Sequence, residues 1–282
     1  MDRYGLEQIA AAISYIEAHL GERLDLSAVA GAAGYSRYYL HRQFTGAVGM
    51  TPHDYIRRRR LTEAARLLAG SDRPVLEIAL SSGWESQQAF ASVFRAFYKQ
   101  TPGQYRKNGI FYPLQLGFTL NMAPSIPGAN GWIAACAVPA DIPDWMNFAG
   151  LVIGGLPGFA ARQHREQLEY CIARRQAVLI RDGTVIAGAA GFSVQTGEIS
   201  FLSVHPQYLR RGVDGALLRF ILARLPAGQE VSITTFREGD RADTGQRAEY
   251  ERLGFAGAEL LTEFGYPTQR LVLPPERRRH AE

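Results

Sequence analysis

The feature that most constrains how this chain can fold is an internal repeat. Ala30 and Gly34 recur as Ala79 and Gly83 at a spacing of 49, and Leu40, Phe44, Thr51-Pro52 and Tyr55 recur as Phe90, Phe94, Thr101-Pro102 and Tyr105 at 50. Matched apolar and turn residues at a fixed period mark one structural unit used twice. Each copy opens with a short apolar-periodic segment, "LSAVAGAA" or "VLEIALSS", breaks at a glycine and continues as "SRYYLHRQF" or "ESQQAFASVF". Two helices joined across a glycine turn read as a helix-turn-helix. Between the copies, "TPHDYIRRRRLTEAARLLAG" starts with Thr-Pro and ends at Gly70. It keeps Tyr55, Ile56, Leu61, Ala64, Ala65 and Leu68 on one stripe, which predicts one continuous helix. About 20 helical residues span about 30 Å, close to the roughly 34 Å between successive major grooves on one face of DNA. One chain of this design could read two adjacent grooves.

Composition agrees without adding much. A length of 282 residues predicts two domains. Residues 1–107 hold 14 Lys and Arg against 10 Asp and Glu, while the remainder is balanced at 17 each, so all the net positive charge lies beside the repeat. The first residues are charged and polar, unlike an export signal, so a cytoplasmic location is expected. The uncharged runs 108–140 and 145–161 are broken by proline, which argues against a membrane span. Cys136 and Cys171 lack the paired spacing of a zinc or redox motif, so they are expected to be buried thiols, with no metal.

The stretches "LSAVAGAAGYSRYYLHRQF", "GMTPHDYIRRRRLTEAARLL" and "EIALSSGWESQQAFASVFRAFYKQTPGQYR" resemble the AraC/XylS family of bacterial transcription regulators over about residues 5–107. The resemblance implies double-stranded DNA as a partner, with RNA polymerase as a further one. It also implies that the second helix of each unit enters the major groove. Arg37, Tyr38, His41 and Arg42 then face bases in the first unit, and Gln87, Gln88, Ala91 and Ser92 in the second. Arg can fork onto guanine and Gln onto adenine, whereas Ala91 and Ser92 offer little, so the first unit should discriminate bases more strongly. In the run Arg57 to Arg60, successive side chains turn by about 100° around a helix, so all four cannot face one strand. Two, Arg58 and Arg59, are expected on phosphates; a solvated charge run is the plainer alternative. Helix phase puts Tyr39 in the core.

Beyond Lys107 strands alternate with helices. "AVLIRDGTVIAGAAGFSV" reads as a hairpin turning at Asp182-Gly183, followed by the strand "EISFLSVHP", an Arg/Gly loop, the helix "GALLRFILARL" and the strand "EVSITTF". The helix "TGQRAEYERLGF" and a final pair, "AELLTEF" and "QRLVL", complete an α+β domain around one mostly antiparallel sheet. Unpaired N–H groups at a helix start favour an anion, Gly212 permits close approach, and Arg210 and Arg211 add charge.

With "AEYERLGF" downstream, this region resembles the GNAT superfamily of acetyl-CoA-dependent N-acyltransferases over roughly residues 128–275. The resemblance implies acetyl-CoA as cofactor. Backbone from Leu202 to Val204 would pair with its pantetheine arm, while the loop with Arg210, Arg211, Gly212, Val213, Gly215 and Ala216 would wrap the pyrophosphate. Tyr250 would be the acid for the departing thiolate and Glu198 the general base for an amine. Two positions depart from the family loop. Leu209 stands where Gln or Arg is usual, and Asp214 where Gly or Ala is usual. A carboxylate about 4 Å from a phosphate charge costs roughly 1 kcal/mol if screened by water and about 4 kcal/mol at an effective dielectric near 20. The acid also suits a helix's first turn in its own right. Two functions stay open: a DNA-binding regulator whose GNAT-like domain senses a small-molecule effector, an acyl-CoA or an amine, and a bifunctional regulator that also acetylates an amine substrate.

The expected division is a DNA-binding domain at 1–107, a linker at 108–127, the GNAT-like domain at 128–276 and a basic tail at 277–282. Residues 108–161 carry only Asp141 and Asp144 as charges amid Phe111, Tyr112, Phe118, Trp132, Trp145, Phe148 and Phe159. Such a stretch ought to be buried, either docking the two domains or walling a ligand pocket.

Overall fold

The computed structural model describes residues 3–22, 24–124, 131–152, 161–263 and 265–276. They form two compact units, one running to Ala123 and the other beginning at Pro124. The expected boundary at 127/128, Phe159 and the tail at 277–282 lie outside the described residues.

The first unit is helical: α1 (Arg3–Ala18), α2 (Leu26–Ala32), α3 (Arg37–Val48), α4 (Pro52–Gly70), α5 (Val75–Ser81), α6 (Gln87–Tyr98) and α7 (Pro102–Asn108). The turn and the caps after it recur in both copies, whereas α2 has an Asp25 side-chain cap and α5, after Pro74, has none. The turn amide of Tyr35 donates to Ala30 O at 2.8 Å, and that of Trp84 to Ala79 O at 3.1 Å, around Gly34 and Gly83 in the left-handed region. Ser36 caps α3 and Ser86 caps α6, while Thr51 and Thr101 cap the helices that follow. The spacing changes from 49 to 50 between Trp84 and Ser86, so Glu85 is the extra residue of the second turn. Leu40, Phe44, Ala47 and Val48 are buried on α3, and Phe90, Phe94, Phe97 and Tyr98 on α6. Each fully buried Phe contributes about 1.5–3 kcal/mol.

Helix α4 is continuous for 19 residues, about 28 Å, with its expected stripe buried from Tyr55 to Leu68. Its basic run differs from the expectation. Arg58 and Arg59 are only 6% and 7% exposed. Arg59 forks onto Glu17 of α1, with Nη2–Oε2 at 2.7 Å and Nε–Oε1 at 2.8 Å, and Nη1 donates to Gln115 O at 3.1 Å. Tyr55 Oη donates to the same carboxylate at 2.8 Å. Arg58 lies over the Phe97 ring at 5.3 Å. Arg60 donates to the carbonyls of Leu20 and Glu22. Its guanidinium also fills the space where a Cβ on Gly83 would sit, 2.7 Å away, so Gly83 is required by contact as well as by φ.

Residues 110–122, expected as linker, pack on the first unit. The Tyr112 carbonyl accepts from Tyr98 and Tyr105 hydroxyls, and the amides of Leu114 and Gln115 donate to Thr62 Oγ1 at 3.0 and 3.1 Å. Tyr112, Leu114 and Leu120 are buried. Trp132, Trp145 and Phe148 instead pack within the second unit, so the apolar stretch divides between two separate cores.

The second unit contains β1 (Ala135–Cys136), α8 (Ile142–Val152), α9 (Ala161–Ala173), β2 (Ala177–Asp182), β3 (Val185–Phe192), β4 (Glu198–Val204), α10 (Val213–Leu222), β5 (Val231–Phe236), α11 (Gln246–Arg252), β6 (Ala256–Glu263) and β7 (Tyr266–Leu273). The sheet order is β1-β2-β3-β4-β5-β7-β6, antiparallel except for β4 beside β5. Period-two alternation sorts the sides: Val178 and Ile180 pack with α10, whereas Ala177 and Leu179 pack with α8 and α9. Gly188 lets α10 approach β3, because a Cβ there would meet Val213 Cγ1 at 2.5 Å.

The Arg59–Glu17 pair sets a test of the first unit. Glu17→Ala removes the forked partner of the buried Arg59 guanidinium and leaves Glu63 at 3.3 Å as its remaining carboxylate, so stability should fall by up to about 3 kcal/mol. Urea unfolding read through amide exchange of α4 measures this, and Glu17→Ala with Arg59→Leu should recover most of the loss.

Candidate functional site

The two second helices of the repeat present the sequence-predicted residues outward. Arg37, Tyr38, His41 and Arg42 are exposed on α3, as are Gln87, Gln88 and Ser92 on α6, with Ala91 half-buried. Tyr38 is 79% exposed. Tyr39, expected in the core, is 39% exposed because Leu40 takes the buried position. Its ring meets Tyr35 edge-on at 4.7 Å and carries the Arg42 guanidinium at 5.1 Å. Tyr39 is therefore a platform that orients Arg42, a role helix phase did not signal. On α6, exposed Arg95 extends the row of Gln88 and Ser92 by one turn. Arg58 and Arg59 are not on this surface; of the run, Arg57 is the exposed member.

In the second unit the relevant geometry is a fork. β4 and β5 pair only at Glu198 with Ser232 and Ile199 with Ile233. Beyond them β4 stays paired with β3 as far as Val204, and β5 with β7 as far as Phe236, while their facing edges part. Ser200 is the extra residue of a bulge, since Phe192 matches Ile199 and Gly191 matches Phe201; a bulge bends its strand. In the open part, the Leu202 carbonyl accepts from Tyr250 Oη at 2.7 Å and Gln246 Nε2 at 3.0 Å. Burial pushes the Tyr250 phenol well above its usual pKa, so it is firmly protonated. Val204 is half-buried at the end of β4.

The Arg/Gly loop follows. Gly212 caps α10 with φ 77° and no side-chain cap, and space is open where its Cβ would be. Arg210 is exposed at φ 59°. Arg211 lies over Tyr208 at 5.6 Å, and its carbonyl accepts from Trp132 Nε1 at 2.8 Å. Val213 and Ala216 are buried, so near the loop they offer backbone only; Gly215 is half-buried. Asp214 turns from the loop to α11, its Oδ2 2.5 Å from Arg252 Nη2, and Arg252 also meets Glu249 at 2.8 Å. Leu209 is half-buried. Gln246 and Arg252 were not singled out by sequence, where the only signal was the opposite charge of Arg252 to Asp214; Trp132, expected to dock domains or wall a pocket, instead donates to the loop at Arg211 O.

Glu198 is exposed at the paired end of the fork. Tyr250 sits at Leu202, roughly 10 Å further along the strand. The fold thus joins Tyr250, Gln246 and Leu202 but leaves Glu198 apart. Among the described residues no group of His, Cys, Asp and Glu could hold a metal ion, and no helix is long and apolar enough to cross a membrane.

Residues 29–108 match a family described as a helix-turn-helix domain, and residues 151–255 match the acetyltransferase (GNAT) family. Regulatory protein SoxS of Escherichia coli (strain K12) is 43% identical over 94 residues, covering 33% of this chain and 88% of SoxS. Right origin-binding protein of the same strain is 40% identical over 127 residues, which is 43% of each chain. The chain therefore spans less than half the length of that relative. A GNAT-family acetyltransferase of known structure from Bacillus cereus ATCC 10987 aligns at 15% identity and a TM-score of 0.40, covering 50% of this chain and 96% of that one.

A buried histidine anchors the loop and sets its pH dependence. His205 Nδ1 accepts from Gln207 N at 3.2 Å, its ring meets Tyr208 at 5.7 Å, and Tyr208 Oη donates to Asp182 at 2.7 Å. Burial pushes the His205 pKa down to about 4. The unfolded chain takes up this proton near pH 6.5 and the folded one only near 4, so stability falls as pH drops through that window. The expected slope is about 1.4 kcal/mol per pH unit, measured by urea unfolding across pH. His205→Asn, whose Oδ1 can accept the same amide, should reduce the slope, leaving the share of His164, whose pKa burial also lowers.

Proposed function

Because the chain belongs to the AraC-type family of helix-turn-helix transcriptional regulators and carries a GNAT-family domain behind that reader, we propose that it binds operator DNA through α3 and α6 and senses an acyl-CoA through its second unit. The observation that carries the DNA reading is the paired outward display of Arg37, His41 and Arg42 on α3 and Gln87, Gln88 and Ser92 on α6, each helix preceded by the same capped turn. The observation that carries the ligand reading is the fork that opens after Ile199 and Ile233, followed by an α10 start without a side-chain cap.

The residues present suit an acyl-CoA. Backbone of Leu202 and Val204 would hold the arm of the ligand, and backbone from Gly212 to Gly215 with Arg210 and Arg211 would hold its diphosphate. Asp214 does not leave a bare charge facing that site, since Arg252, shared with Glu249, offsets part of it. The bound ligand would supply an acyl thioester. The chain's residues support sensing over catalysis: the Tyr250 hydroxyl is already committed to the Leu202 carbonyl, and Glu198 lies apart from it. An amine-acetylating second function rests on the same phenol, which is protonated and lies at the fork.

Two measurements test this. With duplexes selected from random sequence, binding should weaken steeply as salt rises. Arg42→Ala should cost about 1–3 kcal/mol and relax one base position, whereas Arg58→Met should leave the salt slope unchanged. Acetyl-CoA should bind the full chain in calorimetry and shift its DNA affinity, without thiol release above background across an amine panel. Thiol release abolished by Tyr250→Phe would establish the catalytic reading instead. Absence of both binding and turnover would refute the ligand reading.

A further inference from the structure

A carbonyl oxygen has two lone pairs, and α11 supplies donors for both on Leu202, through Tyr250 at 2.7 Å and Gln246 at 3.0 Å. The two donors differ in what it costs to remove them. Tyr250 is 2% exposed, so its hydroxyl would be stranded without a partner. Gln246 is half-buried and can turn its amide to water. Helix α11 is also tied at its other end, where Arg252 joins Asp214 in the first turn of α10. Its start is held by Asp243 Oδ1, which accepts from the amides of Gly245 and Gln246 at 3.0 and 2.9 Å. A helix of seven residues is too short to persist alone. Its order depends on such ties: Gln246 and Tyr250 reach β4, Arg252 reaches α10, and Arg247 donates to Phe236 O of β5 at 3.1 Å.

We propose that Gln246 is a gate on the fork and Arg252 its latch: an amide-bearing, diphosphate-bearing ligand takes the Leu202 carbonyl from Gln246 and draws Arg252 off Asp214, so that binding loosens α11. The proposal rests on the acyl-CoA reading above. It assigns Gln246 a cost to the ligand rather than a contact with it. Arg252, with 56% of its side chain exposed, is long enough to exchange one anion for another. Asp214 then has a purpose that a bare first-turn acid lacks. It parks the cation beside the site, where an arriving diphosphate can compete for it.

Calorimetry with coenzyme A on the full chain, on Gln246→Ala and on Arg252→Gln tests this, with amide exchange of residues 246–252 as a second readout. Gln246→Ala should bind about fivefold more tightly, about 1 kcal/mol, the net value of one hydrogen bond. Arg252→Gln should bind on the order of tenfold more weakly, since the diphosphate then lacks the cation it would draw from Asp214. Coenzyme A should speed exchange in α11 of the wild-type chain. Equal or weaker binding by Gln246→Ala, with its thermal unfolding and DNA affinity matching wild type, overturns the gate and leaves the ligand reading standing. Slower exchange in α11 on binding also overturns it, because the helix would then be closing rather than releasing. Lack of binding by all three chains overturns the ligand reading and the gate together.

Discussion

Two residue pairs join β4 to β5, and the open end of the second unit's sheet depends on their stopping at Ile199 and Ile233. Had the parallel pairing continued, the backbone groups of residues 201–204 would be spent on β5. The outer partners do not part: β3 holds β4, and β7 holds β5, to the ends of both strands. The opening is therefore a built feature of a stable sheet, assisted by the Ser200 bulge, rather than a frayed edge. Parting strands expose polar backbone, and buried polar groups must find partners. Gln246 and Tyr250 meet that demand at Leu202. The need to satisfy one carbonyl is what brings α11 to the fork, and with it Arg252 to α10.

The first unit solves a different problem, the rigid spacing of two readers. Helix α4 spans the gap on a buried apolar stripe from Tyr55 to Leu68, and its four consecutive arginines must be placed around that stripe. Burial of Arg58 over Phe97 and Arg59 on Glu17 turns part of the charge run into structure. Arg60 then bridges the loop after α1 to Gly83 in the second turn. A buried ion pair is weak evidence for net stability. Its value here is positional, since Arg59 touches α1 and the Gln115 carbonyl as well as spanning a turn of its own helix to Glu63. Three of the four arginines are spent on register, leaving Arg57 as the exposed member.

Local pattern made much of this legible. The repeat, the glycine turns, the Ser and Thr caps and the hairpin at Asp182-Gly183 all carry their information within a few residues, and the structure reproduces them. The outward residues of α3 and α6 follow from helix phase once Leu40 and Phe90 are fixed inward. What sequence could not show depends on partners far along the chain. Arg59 is buried because Glu17, 42 residues earlier, reaches it. Tyr39 is a platform because Tyr35 tilts against it. Residues 110–122 read as linker because their apolar groups show no period; they pack by meeting Thr62, Tyr98 and Tyr105, not by forming an element. Helices α8 and α9 escaped notice because the stretch before α8 is rich in proline and glycine, and α9 is polar except where Leu168 and Cys171 face the sheet.

Asp214 marks the limit of position-by-position reading most clearly. Taken alone in the loop, a carboxylate at a helix start is a gain for the helix and a loss for any anionic ligand, with no way to rank the two. The balance changes once the acid has a partner, because Arg252, shared with Glu249, offsets part of its charge and puts a guanidinium beside it. Leu209 differs: it brings no charge and offers no side-chain donor where the family loop has one. The two departures from the family loop are thus unlike in kind. One is a charge relocated to α11, where Arg252 offsets part of it. The other is a side-chain donor missing from the loop. On the acyl-CoA reading proposed above, a site altered in this way would keep a cation for a diphosphate while offering one donor fewer, which suits reversible occupancy better than tight capture.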